Sequence, residues 1–315
     1  MMSYIAKQFT IVNRILKKSQ FDDNVINIIL TYYWNLLPKC KILLDWIDPN
    51  KLIFEALSTN ENAIDLLKAN IDKIDWINLS GNKNAIELLK NNQDKIDWEI
   101  LSENCNAIHL LKNNLDKIDW SSLSANENAI HLLKNNPDKI DWYHLCRNSN
   151  AIDIIKEHKD LICWYALSLN CNAIELLKAN IDKIDWTYLS SNIHAIDLLA
   201  NNLDKIDWFR LSMNTNAINL LKNNLDKINW SKISINESAI DLLRENKDKI
   251  DWTLLSSNTN AITLLSDNID KINWSELSMN PNAINLLKEH QGKINWYSLS
   301  SNPSIFTDES MPELL

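Results

Sequence analysis

Two histidines, His109 and His131, stand 22 residues apart in a row that has Glu87 before them and Asp153 and Glu175 after them. Imidazoles beside carboxylates are a donor set suited to zinc. The interval argues against a metal site. If each of these residues belongs to its own layer of a stacked array, neighbouring layers lie about 8–10 Å apart, too far for side chains of successive layers to converge on one ion. Polar residues in the first turn of successive helices account for the row. Aspartates at the positions of Asp72 and Asp75 recur in most units, so no pair stands out as general acid and base. Neither a glycine-rich phosphate loop nor a nucleophile elbow is present. The sequence predicts no catalytic residue, no metal, no cofactor and no enzyme.

Two further rows have the residue types that nucleic acid would need. Lys73, Lys95, Lys117, Lys139, Lys183, Lys205, Lys227, Lys249, Lys271 and Lys293 could track a phosphate backbone. All but Lys293 directly follow an aspartate, which predicts a locally neutralised, solvated ridge. Trp76, Trp98, Trp120, Trp142, Trp164, Trp186, Trp208, Trp230, Trp252, Trp274 and Trp296 could stack bases. Identity at every one of these positions, with varied neighbours, predicts instead a structural ladder buried in a core. Nucleic acid is not the expected partner.

These rows belong to one organising feature, a 22-residue unit that keeps register without insertion from Asn60 to Asn302. Self-similarity at this period predicts a solenoid. Each unit has two halves, N-x-N-A-I-x-L-L-K-x and N-x-D-K-I-D-W-x-x-L-S-x, with apolar residues at helical offsets, so the fold class expected is all-α, an α-solenoid with two short helices per unit. A leucine-rich repeat has a similar period, but its strand needs alternation of period two, which is missing here. In the first half Asn62 is the expected N-cap, Asp65 or Glu87 would complete a capping box, and Asn70 would end the helix in a left-handed conformation. The second half allows two starts: Asn70 or Asp72 as cap, favoured by Pro137, or Asp75 as cap. Helices this short are marginal alone, so stacking must stabilise them.

The chain divides into residues 1–38, an N-terminal helical cap; 39–302, the array, beginning with a degenerate unit in which Phe54 replaces the Trp; and 303–315, a C-terminal cap or tail. In the first segment Ile5, Phe9, Val12 and Leu16 recur at helical spacing, then Asp22 and Asp23 cap a second helix that Pro38 closes. Net charge is −9, which offers no general attraction to nucleic acid or anionic membranes. Five cysteines without C-x-x-C pairing indicate neither a disulfide framework nor a zinc site. With no apolar run near 18 residues and no signal-peptide core, an intracellular protein without a membrane is expected.

The unit N-x-N-A-I-x-L-L-K-x-N-x-D-K-I-D-W-x-x-L-S resembles the tandem helical repeats of giant DNA viruses of protists over residues 39–306. That resemblance implies a viral protein made in an infected host cell and acting in its cytoplasm or in the virion. It implies no activity. The stretch F-D-D-N-V-I-N-I-I-L-T-Y-Y-W resembles the opening helix of an F-box, without its Leu-Pro entry, and would imply docking to a ubiquitin-ligase adaptor.

Function should reside where the units diverge. The pairs after each Trp include Tyr143, His144, Tyr165, Tyr188, Phe209 and Arg210, residue types that interfaces favour. These are the candidate protein-binding residues, and a non-enzymatic protein-binding scaffold is the expected function. Cys163 and Leu161 depart from the unit consensus and mark the weakest join of the array.

Overall fold

The computed structural model describes residues 4–19, 21–37 and 40–311. A regular unit is built by three side chains that satisfy backbone groups at the ends of very short helices. In the unit around Trp98, Asp97 is extended and its carboxylate accepts the N–H of Ile100 at 3.0 Å, starting the helix Trp98–Glu103. Asn104 follows, also extended, and its Oδ1 accepts the N–H of Asn106 at 3.1 Å. A turn then leads into the second helix, Ile108–Lys112. Asn114 closes that helix by donating its Nδ2 to the Leu110 carbonyl at 3.0 Å, and the 3-10 turn Leu115–Lys117 returns the chain to Asp119, where the pattern restarts. The two helices are called here the Trp helix and the Leu helix.

Several expectations are corrected. The Trp helix starts at Asp75, and the alternative start at Asn70 is also real, but as a separate 3-10 turn, Ile71–Lys73. Pro137 occupies the first position of the equivalent turn. The residue that caps into the Leu helix is Asn60, not Asn62. The Asn62 side chain instead donates out of its own unit, to the Pro303 carbonyl at 3.0 Å. Asp65, Glu87 and Glu175 form no capping box and pair with Lys68, Lys90 and Lys178 one turn later, at 3.7, 3.9 and 3.0 Å. Nor does Asn70 adopt a left-handed conformation: its φ is −136°, and no described residue has positive φ. Carbonyl capping by the Asn side chain does the work expected of an unusual backbone.

The deep core is aliphatic. Leu101, Ala107 and Leu111, and their equivalents around the chain, have no exposed surface, while every Trp of the ladder is only half-buried at its edge. This corrects the expectation of a buried Trp core. Alanine at the Ala107 position leaves room for the Trp helix and Leu helix of a unit to pack together, and leucines from both helices fill the layer between.

Adjacent units are joined by hydrogen bonds from an Asn present in every unit and from a recurrent Ser and a second Asn, replaced by Cys146 at one Ser position and by His194, Ser238 and Ser304 at three of the second Asn positions. Ser80 Oγ accepts the N–H of Asp97 at 3.0 Å; Asn104 Nδ2 donates to the carbonyls of Ser80 and Asn82 at 3.1 and 3.2 Å; Asn106 Nδ2 donates to the Lys83 carbonyl at 3.0 Å. Asn104 is buried, as is its counterpart in every unit.

The same join is made between the two ends of the array. Ser300 Oγ accepts the N–H of Ile53 at 2.9 Å, Asn60 Nδ2 donates to the carbonyls of Ser300 and Asn302 at 3.0 and 2.9 Å, and Asn62 Nδ2 reaches Pro303. The unit of Phe54 thus follows that of Trp296 as the unit of Trp98 follows that of Trp76. Twelve units, one carrying Phe54 and eleven carrying Trp, close into a ring. Twelve joins that share one turn rotate by about 30° each, a regular version of the small per-unit rotation that curves any solenoid. The closure is reinforced by Tyr297, whose hydroxyl donates to Glu55 at 3.1 Å, and by a two-stranded antiparallel sheet of β1 (Lys41–Leu43) and β2 (Phe306–Asp308) with a Lys41–Asp308 ion pair of 2.7 Å.

Both expected end caps are therefore corrected. Residues 303–308 are a closing segment. The first helices, α1 (Tyr4–Leu16) and α2 (Asp23–Leu36), form a hairpin with a core of its own, Phe9, Ile26, Leu30 and Trp34, in which the Phe9 and Trp34 rings meet edge to face at 5.0 Å. No exposed end of the array needs covering, because the last unit covers the first. Pro38, expected to end α2, lies outside the described residues, as do the side chain of Ile5 and residues 312–315.

Candidate functional site

Curvature decides which face of the ring is concave. Trp helices of neighbouring units pack along one another, whereas Leu helices stand farther apart, with an open cleft between Ile86, Glu87 and Lys90 of one and His109, Leu110 and Asn113 of the next. The Trp helices line the inner wall and the Leu helices the outer one. The row from Glu87 to Glu175 accordingly lies on the splayed outer side.

In a Trp helix the residues three and four places after the Trp, such as Leu101 and Ser102, are buried in the layer and the join. Those one and five places after it, with most of those two places after it, form the free face; at the second place Ser122, Ala166 and Ser298 are buried. These are the positions at which the units diverge, and their residues adjoin from unit to unit around the bore.

On this face the rings of Tyr143 and Tyr165 stack at 5.3 Å with their planes 29° apart, and those of Tyr165 and Tyr188 lie 5.7 Å apart at 41°. The Arg210 guanidinium covers Tyr188 at 4.8 Å, Arg147 covers Tyr143 at 6.0 Å, and the Lys232 ammonium covers Phe209 at 5.1 Å. The sequence-predicted residues Tyr143, Tyr165, Tyr188, Phe209 and Arg210 are brought into one arc. Tyr165 and Phe209 are 44% and 49% exposed, enough to offer a partner substantial apolar surface. Tyr143 is half-buried and also packs on the core. Local desolvation, Cys163 and the flanking tyrosines push the Tyr165 hydroxyl above the ordinary tyrosine range, so it is a hydrogen-bond donor at neutral pH.

His144 has a different neighbourhood. Its Nδ1 lies 3.0 Å from both Ser121 Oγ and Asp141 Oδ1. Three such side chains suggest a nucleophile relay, but a relay needs the carboxylate on one ring nitrogen and the hydroxyl on the other. Here both partners meet the same nitrogen. Burial raises the Asp141 pKa, but this is outweighed by the His144 backbone N–H, the His144 ring and Ser121, leaving it below its ordinary value of 3.8. That is the signature of a helix cap. A polar hollow lined by Glu103, Ala125, His144 and Arg147 opens beside it.

The lysine row is not a free ridge. Each ammonium but that of Lys293 lies over the ring of the Trp or Phe that precedes it in the array: Lys95 over Trp76 at 4.7 Å, Lys117 over Trp98 at 4.7 Å, Lys205 over Trp186 at 4.6 Å, and at the closing join Lys51 over Trp296 at 5.0 Å. The Trp ladder is the acceptor side of a ring of cation–π contacts. Trp142 and Trp274 are instead met by the imidazoles of His158 and His290, each at 5.2 Å; at Trp142 the lysine is replaced by Leu161.

Arg147 was missed in the sequence because it stands five places after its Trp, outside the pairs singled out as an interface, whereas Lys232 lies in one of those pairs but was not chosen from it. The helical offset between positions one and five was the available signal. Cysteines of the Trp142 and Trp164 units are also brought together: Cys146 replaces the joining Ser, its Sγ accepts the N–H of Cys163 at 3.3 Å, and Cys163, in the Asp cap position, makes no side-chain cap. Burial pushes the Cys146 thiol up to about 11.

These features define the protein as a closed ring of α-helical repeats with an aromatic and basic arc on its inner wall. Compared with known proteins, the chain matches no family model, no curated protein and no solved structure. Among the described residues no helix is long and apolar enough to cross a membrane.

Proposed function

We propose that the protein is a non-enzymatic scaffold that binds another protein on the concave face of its ring. The observation that carries this reading is the division of labour within each unit. The recurrent Asn, Ser, Trp and Lys are largely used up in joins, and the variable positions converge on one continuous face that bears exposed aromatics and arginine, the residue types that most often dominate interface energy. The resemblance of the repeat to those of giant DNA viruses proposes an infected host cell as the setting. Affinity capture from such cells tests the reading. Tyr165→Ser with Phe209→Ser should keep helicity and thermal midpoint close to wild type while partner capture falls. Lys73→Gln, Lys95→Gln and Lys117→Gln, compared per folded molecule, should leave capture intact. Capture that follows the lysines and ignores the aromatics would reject the scaffold in favour of phosphate tracking.

A second reading rests on the N-terminal hairpin, whose independent core leaves Ile28, Tyr32 and Leu36 exposed in one stripe along α2. Such a module fits the F-box-like resemblance and would make the ring the substrate-binding part of a ubiquitin-ligase adaptor. Co-purification of the ligase adaptor that survives deletion of residues 1–38 would sink this reading.

A further inference from the structure

The inner face of the ring is electrically divided. Among the positions one, two and five places after each Trp, and after Phe54, the arginines and lysine are Arg147, Arg210 and Lys232, all within the five consecutive units from Trp142 to Trp230. The acids are Glu55, Glu99, Glu103 and Glu276, all in the other seven. The basic arc coincides with the aromatic one. We propose that this arc is the binding site for an acidic, extended polypeptide segment, with carboxylates at both ends of a short apolar stretch. The proposal rests on the scaffold reading above and specifies its ligand.

Spacing defines the ligand. Arg147 caps one end of the stack of Tyr143, Tyr165 and Tyr188, and Arg210 caps the other. Following the contacts from ring to ring, the two guanidinium groups are at most about 22 Å apart, the reach of six or seven residues of extended chain at about 3.3 Å each. Lys232 beside Phe209 extends the basic end by one unit. Helices about 8–10 Å apart around twelve units leave a bore about 20–30 Å wide, ample for such a chain.

Chemistry favours a peptide over single-stranded nucleic acid. A base-stacking platform must present open ring faces. Here the faces of Tyr143, Tyr165 and Tyr188 are turned toward one another and toward the two arginines, so a ligand in the bore meets ring edges and hydroxyl groups. Ring edges carry the positive end of the aromatic quadrupole, and a tyrosine hydroxyl donates a hydrogen bond, so both suit carboxylate and carbonyl oxygens. The Arg147 guanidinium adds bidentate recognition of a carboxylate, while that of Arg210, which also lies 3.9 Å from the Asp207 carboxylate of its own helix cap, adds positive charge at the other end. The acidic arc opposite repels the same ligand, and Glu103, which shares the hollow of His144 and Arg147, marks the boundary between the two. Charge thus selects both the ligand and its place on the ring.

Fluorescence anisotropy with three labelled probes tests the inference on the full chain: the peptide Glu-Glu-Leu-Phe-Leu-Glu-Glu, its counterpart with Lys at every Glu, and a single-stranded oligouridylate. The acidic peptide should bind at least tenfold more tightly than the Lys peptide. Arg147→Gln with Arg210→Gln should weaken it at least tenfold, with circular dichroism and thermal midpoint unchanged, and Lys18→Gln in the turn after α1 should not weaken it. Equal binding of both peptides, lost in Tyr165→Ser, would overturn the acidic specificity and leave the scaffold standing. Tighter binding of the oligouridylate with the same arginine dependence would overturn both. No binding of the acidic peptide to a folded ring would overturn the inference alone, because partner capture tests the scaffold separately.

Discussion

Replacing Asn60 by Ala distinguishes a closed ring from an open array. The Asn60 side chain is 2% exposed and makes three hydrogen bonds: two from Nδ2 to the carbonyls of Ser300 and Asn302, and one from the Asn62 N–H to Oδ1 at 3.0 Å. At about 1 kcal/mol net for each bond, and more where a buried carbonyl loses its donor, the substitution should cost about 3 kcal/mol. Asn192 is the internal standard. It makes the same three bonds, to Ser168 and Asn170 at 3.1 and 3.0 Å and from His194 at 3.0 Å, in the middle of the array. If the ends did not meet, Asn60 Nδ2 would face water and Asn60→Ala would lose only a cap, about 1 kcal/mol. Urea unfolding of the two variants gives the totals. Hydrogen exchange at residues 300–304 locates the loss, since their amides should open faster in Asn60→Ala and not in Asn192→Ala. A cost near 1 kcal/mol for Asn60→Ala beside one near 3 kcal/mol for Asn192→Ala, without change of exchange at residues 300–304, would refute closure.

Trp164→Ala should cost about 2–3 kcal/mol, below the 3–5 kcal/mol usual for a fully buried ring, because the indole is half-buried and loses one cation–π contact with Lys183 at 4.8 Å; denaturant midpoints check it, and a loss above 5 kcal/mol would return the ladder to the deep core. Cys146→Ser with Cys163→Asp restores both consensus residues of the weakest join and should stabilise the ring by about 1–2 kcal/mol, since a hydroxyl replaces the long sulfur contact and the Trp helix gains its cap. A lower thermal midpoint in that double variant would contradict the account of the join. Asp141 has a depressed pKa, so its contribution is fully present above its ordinary value of 3.8 and disappears as pH falls through the folded value. Wild type should therefore exceed Asp141→Asn in thermal midpoint at pH 6 and converge with it on acidification; a gap that persists unchanged below pH 3 would show that charge is not the cause.

The sequence by itself determined what each residue could learn from its own unit. The apolar offsets in A-I-x-L-L-K and W-x-x-L require two short helices, the Asp or Asn before every Trp but Trp164 is a sufficient cap, and the 22-residue interval makes every layer equivalent. It also marked Tyr143, Tyr165, Tyr188, Phe209 and Arg210, because they break a pattern their neighbours keep. Contacts between units were less legible. An Asn present in all twelve units signalled a demand, but whether it capped its own helix or donated to the preceding unit depends on atoms brought in from 22 and 24 residues away. The lysine row looked solvated because the aspartate beside all but Lys293 is visible in the sequence, whereas the ring beneath the ammonium lies two helices earlier in the chain. Closure was decided by the tertiary structure alone. It depends on a rotation of about 30° per join, set by the tighter packing of Trp helices on one wall than of Leu helices on the other, and that small angle has a consequence only when twelve joins are added. Each join is local, and their sum brings Asn60 to Asn302.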